Sequence, residues 1–462
     1  MYHLDRMISK PMYQQLYEQI KKEYQVEAKQ VKLPSIRELA KELNISKTTV
    51  EQAYNQLVAE GLLLNIPQSG FYFLPAEPDS KWEQEIDNEV LERRQQVDFD
   101  FRYGTTFFYT ASWNSWKRCV KKAMEQEFLD ERSAYQDVQG NDRLRSELVK
   151  MLGRTRGVRC RKEQIVITSG SLDSLDIVLN LLKRKSRHFQ AAIEDPGYYA
   201  AGHIFTRNGF PLQNIPVESE GISISKLALS AADLVYVTPS HQFPMGYRMS
   251  VARRQQLLQL IRERQGYIIE DDYDSEFRYT TQPLPSLQSL DRQDCVIYLG
   301  SFSKTISPTL RLGYMVLPRH LVGEYRTLYQ FDHERAAYMI QEGMAEFLSS
   351  GSYYRHISKA VGTNKAKYHL LEDQLNLLKA EGRIDWIPSD GGLHVVMEVL
   401  NLQETDVFLQ QLQQHSLRLY PLSKYSFSVC RDQFFLLGYG GLSLEELTHG
   451  LKLLKQVVQN LS

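Results

Sequence analysis

The stretch of the chain richest in reactive groups is S-F-S-K-T-I-S-P-T-L-R, which starts at Ser301 directly after the apolar run 296–299. A lysine at a strand end, flanked by hydroxyls and followed seven residues later by Arg311, suits Schiff-base formation with an aldehyde cofactor whose phosphate the neighbours hold. Lys304 is the candidate nucleophile. Ser301 and Ser303 offer hydroxyl donors to phosphate oxygens, and Arg311 offers a planar fork that a lysine cannot reproduce. Taken alone, such a string is more often an exposed surface lysine, so the other segments carry the decision.

The first of these is E-D-D-Y-D-S-E-F-R-Y from Glu270, after the apolar run 267–269. Several carboxylates at the C-terminal edge of a parallel sheet repel one another, so a structural role explains them poorly and a cationic partner is expected. Asp271 has the chemistry to keep a pyridine nitrogen protonated, which makes pyridoxal phosphate an electron sink, and Tyr273 to hydrogen-bond the ring's phenolic oxygen. A divalent metal is the rival reading, but no histidine or further carboxylate cluster supplies an obvious ligand set, so no metal is expected.

Three strand-to-loop segments add to this. At Thr168 the chain reads T-S-G-S before a helical pattern, which puts Ser169, Gly170 and Ser171 where free backbone N–H groups attract an anion. Many such turns carry Gly and Ser with no ligand. E-D-P-G-Y-Y from Glu194 and T-P-S-H-Q-F-P-M-G from Thr238 also follow apolar runs and are expected at the same sheet edge. Tyr198 is the candidate to cover the cofactor ring, with His241 or Gln242 reaching its ring oxygen. Pro196, Gly197, Pro244 and Gly246 read as turn chemistry alone.

These segments need a scaffold that gathers strand ends. Short apolar runs at 165–168, 191–194, 234–237, 267–270 and 296–299 alternate with longer helical patterns, which predicts a largely parallel α/β sheet. From about residue 351 the pattern changes to a smaller α+β unit ending in an amphipathic helix over 443–459. Residues 75–98 hold eight Asp/Glu against three Lys/Arg with little apolar periodicity, and read as a solvated linker with a helical turn around 82–94. The expected division is therefore 1–74, the linker 75–98, a large domain over 99–350 and a small one over 351–462.

Ahead of the linker, Met12, Leu16 and Ile20 share a helical face, and Ser35 with Glu38 forms a capping box for a second helix. Asn44 and Ile45 make a turn before Ser46, an N-cap for a third helix whose apolar side is Val50, Ala53, Tyr54, Leu57 and Val58. Its other side carries Lys47, Thr48, Thr49, Gln52, Asn55 and Gln56, groups able to meet base edges and phosphates in a major groove. A hairpin over 62–74 follows as a wing. A small helical dimerisation domain would show the same apolar spacing, and nine Lys/Arg against eight Asp/Glu make this module hardly basic.

Composition sets the outer bounds. The 462 residues suffice for two or three folded units. No run of about eighteen apolar residues and no N-terminal apolar segment is present, so neither a membrane span nor a secretion signal is expected. A net charge of -1 leaves no whole-chain field for nucleic acid or lipid, so any DNA contact is local. The four cysteines lie far apart with no C-x-x-C pair, which fits a reducing cytoplasm.

The run L-P-S-I-R-E-L-A-K-E-L-N-I-S-K-T-T-V-E-Q-A-Y-N-Q-L-V-A-E-G from Leu33 resembles the GntR-type winged-helix signature. That resemblance implies operator DNA as a partner, with Arg37, Ser46, Lys47, Thr48 and the wing residue Gly70 at the DNA. Glu51 departs from it, standing where some members have a basic residue. From about residue 98 the chain resembles the fold-type I aminotransferases. With Y-Q-D-V-Q-G-N-D-R-L-R from Tyr135, the whole is similar to the MocR branch of the GntR regulators. The branch implies a cytoplasmic homodimer whose large domain carries pyridoxal phosphate on Lys304 and senses an amine effector or the cofactor itself. An active aminotransferase with a DNA-binding arm is the alternative.

The chain also departs from the GABA-responsive members, which hold a carboxylate with two arginines. Ala200 stands at one such position, and Gln433, Phe434 and Phe435 stand where the other is sought, with Arg431 slightly upstream. The helix after His356 reads I-S-K-A-V-G-T-N-K-A-K and lacks the arginine-rich string of relatives.

Overall fold

A computed structural model describes residues 2–5, 10–24, 32–60, 62–66, 69–73, 97–106, 110–129, 137–185, 188–280, 282, 284–427 and 432–461. The chain forms two compact units, Met1–Gln95 and Gln96–Ser462. The expected linker over 75–98, with its helical turn, lies outside the described residues apart from its last two positions, and so does Arg431.

In the first unit, helices Met12–Tyr24, Ile36–Glu42 and Lys47–Ala59 precede the antiparallel hairpin Leu63–Ile66 and Gly70–Phe73. The capping box forms: Glu38 N–H donates to Ser35 Oγ at 3.3 Å and Ser35 N–H to Glu38 Oε2 at 2.9 Å. Leu16, Ile20, Val50, Ala53, Tyr54 and Leu57 are completely buried, as the helical spacing requires. Tyr54 also ties the third helix to the segment before the second, its hydroxyl donating to the Pro34 carbonyl at 2.9 Å.

The second unit is built on an eight-stranded sheet in the order Ile165–Thr168, Gly313–Val316, Val296–Ser301, Tyr267–Asp272, Leu234–Val237, Ala191–Asp195, Leu212–Glu218, Gly221–Ile222. Gly313–Val316 runs antiparallel to both neighbours, and Gly221–Ile222 is antiparallel at the far edge. The strands between them pair in parallel. Apart from Leu212–Glu218, which is largely accessible and not an apolar run, these strands are buried on both faces and open as apolar runs. Among the described residues no helix is long and apolar enough to cross a membrane.

Helix Ser352–Ala380 leads to a four-stranded antiparallel sheet in the order Ile384–Ile387, His394–Val399, Phe434–Gly438, Tyr420–Pro421. Helix Leu444–Gln459, capped by Ser443, packs its apolar side into the same core. One boundary differs from the sequence expectation. Phe99–Asp100 pairs in parallel with Leu417–Arg418, and Phe101 is buried in the small-domain core. The expected large domain therefore begins with residues that fold onto the small one. Nothing in the local pattern of 99–103 reports this, because the partner strand is more than three hundred residues away.

Candidate functional site

Strand register sets the site. Leu299 pairs with Asp271 and Gly300 with Asp272, so the loop carrying Lys304 leaves the sheet beside the acidic strand end. Side chains alternate along a strand, and E-D-D therefore divides between the two faces of the sheet. Asp271 enters a cavity of about 230 Å³ that Lys304, Tyr273, Tyr198 and Ser171 also line. Glu270 and Asp272 point the other way. Glu270 accepts the backbone N–H groups of Leu287 and Gln288 at 2.8 and 2.9 Å and lies 3.7 Å from Arg254. Asp272 accepts Arg156 Nε at 2.6 Å, and the Tyr298 hydroxyl donates to the same carboxylate. The expectation that a structural role explains these carboxylates poorly is thus corrected for two of the three. Their cationic partners are buried arginines, Arg254 on the helix that precedes this strand and Arg156 more than a hundred residues earlier.

Asp271 is different. Tyr236 donates its hydroxyl to Oδ2 at 2.5 Å, while Oδ1 is buried with no hydrogen-bond partner among the described residues. Burial pushes its carboxyl up to about 7 against the help of Tyr236, with Asp272 and Asp274 adding to the rise. A buried acceptor without a donor costs free energy, so a cationic N–H donor in the cavity is what this atom lacks. Lys304 shares the enclosure. Burial holds its amine down to about 8, opposed by the charges of Asp274 and Asp271. Its Nζ sits 4.2 Å from the centre of the Tyr103 ring.

A second group forms around Gly313, which pairs with both Ser301 and Thr168. A Cβ at Gly313 would stand 2.8 Å from Gly170 Cα, and one at Gly170 would stand 3.2 Å from Arg311 Nη2, so glycine is needed where these segments meet. The Arg311 guanidinium has no hydrogen bond or ion pair among the described residues. Ser301 and Ser303 bond each other at 2.9 Å, and Ser169 N–H is taken by Asp173 at 2.9 Å. The fork of Arg311, Gly170 and the helix start at Ser171 are thus together, and of the residues expected at a phosphate Ser171 lines the Lys304 cavity whereas Ser301, Ser303, Gly170 and Arg311 do not.

His241 and Gln242 do not enter the Lys304 cavity. Gln242 donates to the carbonyls of Pro196 at 2.9 Å and Phe243 at 2.7 Å and accepts Met245 N–H at 3.0 Å, so its amide is spent holding the turn. The His241 ring lies between Asp274 at 2.8 Å and Ser389 at 3.1 Å. It meets the cavity only through Tyr273, whose hydroxyl donates to the His241 carbonyl at 2.7 Å. The expectation that either side chain reaches a ring oxygen is corrected accordingly. The fold also brings His241, Asp274 and His394 together, with ligand atoms within 4.8 Å of one another, a grouping that spacing in sequence does not reveal. Hydrogen bonds occupy much of it, since His394 Nε2 donates to the Pro244 carbonyl at 2.9 Å and His241 already binds Asp274.

Sequence reasoning named Tyr198 and Tyr273 but missed the other tyrosines. Tyr103, Tyr199, Tyr236 and Tyr425 all line the cavity. The inward position of Tyr236 was available from strand alternation, but no local signal marks Tyr103 or Tyr425, which arrive from opposite ends of the unit. Among the described residues no arginine joins this lining. Phe435 and Leu437 are buried in the small-domain core, Gln433 bonds Glu398 at the surface, and Ala200 sits in helix Tyr199–Arg207.

In the first unit, Arg37, Lys47, Thr48, Glu51, Gln52 and Asn55 are exposed. Ser46 instead caps the third helix, accepting Thr49 N–H at 3.1 Å, and its hydroxyl also bonds that of Thr49 at 2.7 Å. Gly70 opens the second wing strand at φ 113°, close to the Lys32 side chain.

Residues 109–454 match the family of class I and II aminotransferases, and residues 9–73 match the gntR family of bacterial regulatory proteins. An uncharacterized HTH-type transcriptional regulator of Bacillus subtilis, YdeL, is 34% identical over 98% of each chain. The chain belongs to the MocR-type regulators of the GntR family. A relative named as the probable rhizopine catabolism regulatory protein MocR, from Rhizobium meliloti, is 28% identical over 98% of this regulator and 94% of its own length. The regulator's fold matches LysN, the α-aminoadipate aminotransferase of Thermus thermophilus, with a TM-score of 0.68 at 23% identity, over 79% of this chain and 92% of that one. The LysN structure was solved with a phosphopyridoxyl-leucine adduct.

Proposed function

We propose that this chain is a pyridoxal-phosphate-dependent transcription regulator whose Lys304 cavity senses an amine metabolite or the cofactor itself. The observation that carries the reading is the buried, unpartnered Asp271 Oδ1 in the same enclosure as a lysine held down to about 8. A protonated pyridine nitrogen supplies the missing donor. The cofactor, when bound, supplies an aldehyde for an amine to add to. Lys304 would hold it covalently, Asp271 would hold the ring-nitrogen proton, Tyr198 and Tyr273 would bound the ring, and Ser301, Ser303, Arg311, Gly170 and Ser171 would receive the phosphate. Arg311, unpaired beside Gly170, is the strongest support for that last role.

The DNA-facing residues of this reading are Arg37, Lys47 and Thr48, exposed on the second and third helices, together with the wing at Gly70. Ser46 and Thr49 position the helix rather than reach from it. A homodimer supplies two such modules, because one module reads few base pairs and this one carries little net positive charge. The effector is an amine with an uncharged tail, since among the described residues no guanidinium lines this tyrosine-rich cavity to pair with a desolvated carboxylate. The test is to titrate cofactor-loaded protein with GABA, with a neutral amine of similar length and with free pyridoxal phosphate, following the visible spectrum and promoter-DNA affinity together. The reading requires the neutral amine or the cofactor to change both. Preferential response to GABA, lost on Arg431→Ala, would restore an arginine clamp, and keto-acid release with no change in DNA affinity would favour an aminotransferase.

A further inference from the structure

A second cavity, of about 490 Å³, adjoins the first. His241 and Asp274 line it, and Tyr273, which donates to the His241 carbonyl at 2.7 Å, lines the Lys304 cavity, so one hydrogen-bonded layer separates the two. Its construction depends on a pair of glycines. Arg278 bridges to Gly391 in antiparallel fashion, and a Cβ at Gly391 would stand 2.1 Å from the Phe277 carbonyl oxygen. A Cβ at Gly392 would stand 2.0 Å from the His241 ring. The 389–392 turn can close on His241 and Arg278 only because both side chains are missing.

The lining carries three carboxylates and two arginines, yet one of the arginines has no partner among the described residues. Each lining carboxylate has a partner for one oxygen: Asp274 binds His241 at 2.8 Å through Oδ2, its Oδ1 being buried without a hydrogen bond among the described residues, Asp390 binds Arg248 at 3.2 Å, and Glu372 binds His369 at 3.1 Å. Arg278 is half-buried, yet its guanidinium has neither a hydrogen bond nor an ion pair among the described residues. Burial and the nearby charges of Arg156 and Arg248 disfavour its cation, with Asp272 and Glu276 opposing them. Arg156 already bonds Asp272 and the Ser240 oxygen, which leaves the Ser240 hydroxyl hydrogen free to donate into the cavity it lines. A desolvated planar fork with its donors unused, an adjacent second arginine and a free hydroxyl are the elements of an oxyanion site.

We propose that this cavity binds the carboxylate or phosphate group of a small metabolite, with Arg278 as its main ligand and Arg248 and Ser240 assisting. The site is separate from the Lys304 cavity and does not need the cofactor. An occupant presses on the layer that ends at Tyr273, so the cavity is placed to act as an effector site alongside the first.

The experiment is isothermal titration of the full-length protein at low salt, with orthophosphate and succinate as separate probes. Wild type is expected to bind at least one of them equally with and without saturating pyridoxal phosphate, which competes for the Arg311 site, and Arg278→Gln to bind it about tenfold to a hundredfold more weakly, the range for losing hydrogen bonds to a charged group. The anion that binds more tightly identifies the head group. Arg278→Lys, which keeps the charge but not the fork, should lose several-fold and serves in place of Arg278→Gln should that variant not fold. No binding of either anion to wild type overturns the proposal, as does unchanged affinity in both Arg278 variants. Loss of binding under saturating pyridoxal phosphate also overturns it, by moving the anion to the Arg311 site. An inert Lys304 with intact anion binding would instead count against the cofactor reading alone.

Discussion

The reactivity of Lys304 follows from its burial and is open to direct measurement. Its amine is held down to about 8 from an ordinary 10.5, burial outweighing the charges of Asp274 and Asp271. At pH 7 an amine with a midpoint of about 8 is about 9% neutral and one at 10.5 about 0.03%, a ratio of about 300-fold in the nucleophilic form. Cofactor-free protein is reacted with limiting pyridoxal phosphate between pH 6 and 10, reduced with borohydride and mapped by peptide mass spectrometry. Modification of Lys304 should rise with pH through a midpoint near 8, whereas a lysine at the ordinary value of about 10.4 continues to gain reactivity at the alkaline end. The direction of a second change tests the cause. Asp271→Asn removes a negative charge that favours the ammonium, so it should move the midpoint lower. A Lys304 midpoint above pH 10, or an upward move on Asp271→Asn, would refute the reasoning, and an adduct confined to other lysines would refute the assignment.

Three further outcomes are expected. Asp272→Asn leaves the buried Arg156 cation without its carboxylate and should destabilise the second unit by about 3–5 kcal/mol in urea denaturation. Although burial opposes it, the Arg156 charge and the Tyr298 hydroxyl hold the Asp272 carboxyl below its ordinary 3.8, so the wild-type contribution is complete at neutral pH and is lost as pH falls below that value. Ser46→Ala removes the N-cap of helix Lys47–Ala59 and should cost about 1 kcal/mol, read as a lower unfolding midpoint for the first unit. Arg37→Ala or Lys47→Ala should weaken promoter and random DNA alike and reduce the salt slope by about one for each phosphate no longer neutralised, and an unchanged slope in filter binding would remove that residue from the DNA face.

Much of the Lys304 cavity was legible because its residues sit at strand ends, where an apolar run stops and polar chemistry begins. Lys304, Asp271, Tyr273, Tyr198 and Ser171 carry that signal and meet in one cavity. His241 and Gln242 carry the same signal and fail, because a loop position fixes where the backbone passes but not which side chain the turn consumes. The three helices and the wing of the first unit were equally legible, since their contacts are local and their caps lie within a few residues.

By itself, the sequence determined the elements, their caps and the set of strand ends that had to converge, all of which depend on periodicity within about ten residues. Only the tertiary structure decided which face each carboxylate of E-D-D takes, because that depends on the register with Val296–Ser301 and on the arginines waiting on one side. It alone brought Tyr103 beneath Lys304 and the glycine pair at 391–392 against His241 and Arg278. Those contacts join segments a hundred or more residues apart, and burial, not local pattern, fixes which of their charges remain unpaired.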